Sequence, residues 1–181
     1  MAAIAATMFV LVPMASAHRR GCRHAHTRIA AASRAQLQRA VVCLINRQRA
    51  ERHLPRLHAN QRLNRSAQGW TNRMVRTDSF SHGADFAARI SAVGFDWSRA
   101  GENIATGFHT PAAVVRAWMA SPGHCQNILS PSFADVGTGV SGRPIAGAGG
   151  NGTWTQDFGL PMGHRAPSGN SGPAQGCPYH V

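Results

Sequence analysis

Helical periodicities come first along the chain and strand periodicities follow, an order that predicts an α+β fold. Two observations carry this expectation. Between Leu37 and Met119 apolar residues recur at helical spacing in several separate runs, whereas residues 135–140 and 153–158 alternate in strand fashion. A Gly-rich stretch from Ser141 to Gly152 joins the two alternating runs as a hairpin connection would. With 181 residues the chain can bury a core as one domain.

The elements follow in order. Residues 1–17 carry no charge, and their apolar run from Ala2 to Val12 leads into Pro13-Met14-Ala15-Ser16-Ala17, a small-residue pattern that suits signal peptidase cleavage. The run lacks the usual basic start and is shorter than the roughly 20 apolar residues of a membrane span. A secretory signal peptide is expected at 1–17, with no transmembrane segment in the mature chain. Residues 18–36, rich in Arg and His and poor in periodicity, are expected as an exposed leader.

Leu37, Val41, Leu44 and Ile45 predict a first amphipathic helix running to Ala50, with Cys43 at its apolar side. Asn60 can cap a second helix whose stripe is Leu63, Ala67, Trp70 and Met74. Phe86, Ile90 and Val93 make a short third helix, for which Gly94 is a natural stop. Thr110-Pro111 opens a helix carrying Val114, Val115, Trp118 and Met119, and Ser121-Pro-Gly closes it. Residues 161–181, rich in Pro, Gly and Ser, are expected as a flexible tail tethered through Cys177.

Export makes the four cysteines candidates for disulfides. Of the pairings open to Cys22, Cys43, Cys125 and Cys177, we favour Cys22 with Cys43 and Cys125 with Cys177. The first ties the amino segment to a helix, and the second pins the tail. No Cys-x-x-Cys occurs, so a cysteine zinc site is not expected.

The 19 basic and 7 acidic residues give a formal charge of +12, and every basic residue is arginine. A field of that sign attracts polyanions, including nucleic acid, wall polymers and anionic lipid surfaces. The arginines are spread from Arg19 to Arg165 without a basic run interleaved with aromatics, so nucleic acid is not expected as a specific partner.

His82, Glu102 and His124 are the chemistry-bearing residues. Two imidazoles and a carboxylate can hold zinc with water in a remaining position. The same three could instead form a hydrogen-bonded pocket in which Glu102 fixes the imidazole tautomers. Glu102 is one of only two glutamates, with Glu51, and lies among small and apolar residues, so it should be partly buried and paired. His124 follows Pro122-Gly123 and is expected at a helix end. Asn103 and Asn127 are read as backbone-binding residues at turns, and Asp157 as structural. Gly147 to Gly152 has Gly-x-Gly-x-x-Gly spacing but leads into a strand, which excludes a dinucleotide site.

Taken in order, six segments carry a family resemblance. They are Phe80-Ser-His82, Gly101-Glu-Asn-Ile-Ala105, Val114-Val-x-x-Trp118-Met, Ser121-Pro-Gly-His124-x-x-Asn127-Ile-Leu129, Asp135-Val-Gly-x-Gly139 and Trp154-Thr-Gln-Asp-Phe158-Gly159. Together they resemble the CAP superfamily, the SCP or pathogenesis-related 1-like domains, in its bacterial secreted YkwD-like branch. The resemblance implies a three-layer α-β-α sandwich with a central antiparallel sheet over residues 37–160. It also implies an open cleft in which His82, Glu102 and His124 take a divalent cation, zinc first among them.

No single enzymatic activity is shared across that family. The second acid that animal and plant members carry before the second histidine is replaced by Ser121, with Asp135 as a conceivable substitute. This favours a secreted binding module over an enzyme, with a lipid, glycan or anionic cell-wall polymer as ligand. The alternatives are a metal-dependent hydrolase using Glu102 as general base and a charge-driven, polyanion-adhering protein.

Overall fold

A computed structural model describes residues 21–148 and 150–181; the signal peptide expected at 1–17 lies outside the described residues. Helix α1 spans Arg34–Ala50, starting slightly before its apolar stripe because Ser33 and Gln36 form a reciprocal capping box. The described residues before it, 21–33, are mostly exposed or half-buried and are anchored at a few points. Cys22 and Ala25 are buried, Ile29 packs on the core, and Cys22 is bonded to Cys43.

A two-residue strand β1, His58–Ala59, leads into helix α2, Gln61–Thr77. The Asn60 side chain accepts from the Arg62 and Leu63 N–H groups, the expected cap. Helix α3 covers Phe86–Ala92, and Gly94 turns the chain away with φ +75°. Strand β2, Trp97–Thr106, has no counterpart in the sequence reading. Gly101 and Asn103 are poor strand formers, and residues 101–105 are buried on both faces, so no alternation marks them.

Helix α4, Pro111–Met119, begins at Thr110 as expected. Ser121-Pro-Gly does end it, but Pro122 is then the first residue of helix α5, Pro122–Leu129. Proline lacks the N–H that a first helical turn leaves unbonded anyway, so the same residue both stops one helix and starts the next. Strands β3, Asp135–Pro144, and β4, Asn151–Pro161, form the expected hairpin.

The sheet order is β1-β3-β4-β2, antiparallel except for the short parallel β1–β3 contact. On one face Val136, Val140, Trp154 and Phe158 join Leu37, Val41 and Ile45 of α1, Trp118 of α4 and Ile128 of α5 in the main core. Each such fully buried side chain contributes about 1.5–3 kcal/mol. The other face is covered by α2. Gly137 and Gly139 permit its close approach, since a Cβ at either would overlap the α2 backbone at Leu63 and Ala67. Thr71 of α2 bonds Thr155 of β4 at 2.8 Å, and Trp70 and Met74 pack with Ile104 and Ile145. These layers make the α-β-α sandwich.

Beyond its two pairs with β1, the outer edge of β3 is closed by helix side chains rather than by another strand. Gln38 Nε2 donates to Thr138 O at 2.6 Å, and Asn64 Oδ1 accepts from Thr138 N–H at 2.9 Å. Gln68 both accepts from Val140 N–H and donates to Val140 O. An edge plugged in this way offers no template for another chain.

Arg49 is fully buried and ties α1 to the end of α5 by donating to Pro55 O, Ile128 O and Ser130 O. Burial lowers its pKa to about 10, so it stays charged at neutral pH. The carboxyl-terminal segment is tethered through Cys177, the tether expected for the tail, and touches the domain at further points. It holds a short helix α6, Gly172–Gln175, bonds Cys177 to Cys125, and donates from Tyr179 N–H to Met119 O at 2.8 Å. The Tyr179 ring also lies 3.9 Å from the Arg52 guanidinium.

Candidate functional site

At the second sheet edge, β2, the structure brings His82 and Glu102 together. Glu102 is at the middle of β2 and faces the α2 side, with its side chain 1% exposed. A carboxylate so buried needs compensating partners. It has two: His82 Nδ1 lies 2.9 Å from Oε1, and Arg89 Nη2 of α3 lies 2.5 Å from Oε2.

Arg89 also fixes the His82 loop. Its Nη1 donates to His82 O at 3.0 Å, and its guanidinium stacks 3.7 Å from the Trp70 ring. Trp70 Nε1 in turn donates to Ser81 O at 3.0 Å. Gly83 continues the loop with φ +70°, and a Cβ there would come within 2.7 Å of Trp70 Cη2. The loop is therefore held by an aromatic ring, a guanidinium and a carboxylate, while the His82 side chain stays 48% exposed.

His124 comes from α5, on the other face of the sheet. Asn103 and Asn127 join α5 to the β2 edge: Asn103 Nδ2 donates to His124 O at 3.2 Å, and Asn127 Nδ2 donates to Glu102 O at 3.1 Å. Both asparagines bind backbone as expected, but from a strand and a helix rather than from turns. Gly101 lets α5 and its following loop approach, since a Cβ there would lie 2.8 Å from Phe133 Cζ. Burial, and secondarily the charge of nearby His82, lower the His124 pKa from 6.5. Its imidazole is accordingly neutral at neutral pH, the form that can bind a metal.

Two residues of this arrangement escaped the sequence reading. Arg89 sits in an alanine-rich helix with nothing to distinguish it from the other arginines. Asp157, read as structural, pairs with Glu102 across the β2–β4 ladder and is 1% exposed. Neither of its carboxyl oxygens meets a hydrogen-bond partner within strict geometry. Burial first, and the Glu102 charge second, raise its pKa well above 3.8, with only partial relief from Ser66 and Arg89. Asp157 is thus pushed toward its neutral form behind Glu102. Asp135, the conceivable second acid, accepts instead from Asn60 Nδ2 at 3.1 Å.

The donor set bears on a cation in a specific way. Both Glu102 oxygens are engaged, one by an imidazole and one by a guanidinium, which leaves the two histidines as the available ligands. Among the described residues no group of three or more His, Cys, Asp or Glu side chains is gathered to hold a metal ion. A carboxylate hydrogen-bonded to Nδ1 of a histidine is the usual outer partner of a metal-binding imidazole, presenting Nε2 outward. In that role Glu102 fits.

The layers and the β2-edge site define a CAP/SCP-type domain. The sequence matches the cysteine-rich secretory protein family, CAP, over residues 42–158, and the chain belongs to that family. It is 36% identical over 127 residues to the protein YkwD of Bacillus subtilis, covering 67% of this chain and 46% of that protein. The chain therefore spans under half the length of this relative. Among solved structures it resembles an extracellular SCP-domain protein of Bacillus anthracis, with TM-score 0.61 and 24% identity over 71% of this chain and 44% of that one. It also resembles an outer surface protein of Borrelia burgdorferi, with TM-score 0.60 and 18% identity over 67% of this chain and 90% of that one. Both likenesses concern the fold. No helix among the described residues is long and apolar enough to cross a membrane.

Proposed function

We propose that this chain is a secreted binding module whose His82–Glu102–His124 cleft takes a divalent cation, zinc in the first instance, together with a lipid, glycan or wall-polymer ligand. The observation that carries the reading is the 2.9 Å contact of His82 Nδ1 with the buried Glu102, with His124 near enough for the His82 charge to lower its pKa. His82 and His124 would hold the ion, and Glu102 would orient His82. A bound cation supplies positive charge and an exchangeable position for an anionic oxygen of the ligand. Phe80, exposed two residues before His82, adds an apolar contact for such a ligand. The relatives described as extracellular or outer surface proteins support a location outside the cell.

A hydrolase reading would make Glu102 a general base. Both of its oxygens are already engaged, one by an imidazole and one by a guanidinium, so it is not poised to take a proton from water. Binding without catalysis is the better fit. Zinc calorimetry at neutral pH on the protein and on a His82→Ala/His124→Ala variant tests the proposal. Saturable heat is expected from the parent alone, and equal heats from the two would refute it.

A further inference from the structure

The opposite edge of the sheet carries a second feature that the cleft does not use. Two adjoining depressions between α1 and α2, of ≈ 380 and ≈ 460 Å³, share Gln38 and Asn64 and so form one groove. Arg34, Arg39, Arg56 and Arg65 stand along it, and among the described residues no carboxylate and no aromatic side chain lines it. Arg34, Arg39 and Arg56 make no ion pair with any described residue. The two amides are held in fixed orientation by the β3 edge, through Gln38 Nε2 and Asn64 Oδ1. Their other atoms, Gln38 Oε1 and Asn64 Nδ2, remain as one acceptor and one donor without a partner among the described residues.

We infer that this groove binds a phosphodiester-linked polyol or sugar chain. Guanidinium forks match phosphate oxygens two at a time, which a general positive field does not. Rigid amides between the arginines suit the hydroxyls of a polyol repeat, as acceptor and donor together. The absence of an aromatic platform among the described residues removes the stacking surface that single-stranded nucleic acid uses, so the nucleic-acid alternative is disfavoured. The inference is independent of the His82 cleft, which lies on the β2 edge.

Binding of synthetic poly(glycerol phosphate), followed by calorimetry at low and moderate salt, tests it. An Arg34→Gln/Arg39→Gln/Arg56→Gln variant should bind about tenfold more weakly or worse, with a shallower salt dependence, whereas Arg76→Gln/Arg99→Gln/Arg116→Gln, of equal charge, should stay within about twofold of the parent. Asn64→Asp keeps the oxygen that bonds Thr138 N–H but replaces the donor with a charge, and should also weaken binding. The His82→Ala/His124→Ala variant should bind the polymer like the parent. Equal losses in the two arginine variants, no loss in either, or single-stranded DNA binding as tightly as the polymer would overturn the inference.

Discussion

Asp157 and Glu102 are direct partners across the β2–β4 ladder, two buried carboxyl side chains at the base of the His82 loop. Glu102 is compensated by Arg89 and His82, whereas burial first, and the Glu102 charge second, push the Asp157 pKa up.

The pair sets a pH dependence whose sign follows from linkage. The unfolded chain releases the Asp157 proton near 3.8 while the folded chain keeps it, so this group makes stability fall as pH rises above that value, until the folded carboxyl itself ionises. Asp157→Asn is uncharged at every pH and removes the slope. Urea unfolding near pH 5 and near pH 7 should show a variant at least as stable as the parent at the higher pH. A clear loss of stability there would mean that Asp157 is ionised and paired.

His124 acts in the other direction. Its folded pKa lies below 6.5, so the unfolded chain gains the proton first on acidification, and stability falls as pH drops below 6.5. His124→Gln should flatten that part of the profile. Zinc binding in the parent should weaken over the same range, because a protonated imidazole is no ligand.

Arg89 neutralises a carboxylate with 1% exposure while being 21% exposed itself. Arg89→Ala should cost about 2–4 kcal/mol by leaving Glu102 charged and half-paired, a range lowered for the exposure of the guanidinium. Combining Arg89→Met with Glu102→Gln removes the stranded charge and should recover most of the loss. Denaturant melts of the single and double variants measure both.

Gln68 satisfies both backbone groups of Val140 on the open edge of β3. Gln68→Ala leaves a buried N–H and C=O unpaired and should destabilise by about 1–3 kcal/mol. Amide exchange at Val140 should quicken more than at Phe158 in the central strand.

Much of this architecture is legible in the chain. The caps at Asn60 and Thr110, the stripe from Leu63 to Met74 and the β3–β4 hairpin follow from local chemistry, and the favoured cysteine pairing, chosen to tie the amino segment and pin the tail, is the one formed. Strand β2 was hidden because its central residues are buried on both faces and include Gly101 and Asn103. Helix α5 was hidden because Pro122 reads equally as a stop and as a first turn. The residue types of the site, His82, Glu102 and His124, were visible, but their division of labour was not. It depends on Arg89 and Asp157, which reach Glu102 through α3 packing and β4 register, relationships with no local signature.

In the proposed function Glu102 orients His82 for a cation shared with His124. Long-range proton–nitrogen NMR of the imidazoles during zinc titration tests it most directly. His82 is expected to keep its proton on Nδ1 toward Glu102, the Nε2 signal of His82 and one ring nitrogen of His124 to shift together with zinc, and Glu102→Gln to disturb the His82 tautomer. Imidazole signals of His82 and His124 that stay unmoved by zinc, or a His82 tautomer indifferent to Glu102→Gln, would contradict it.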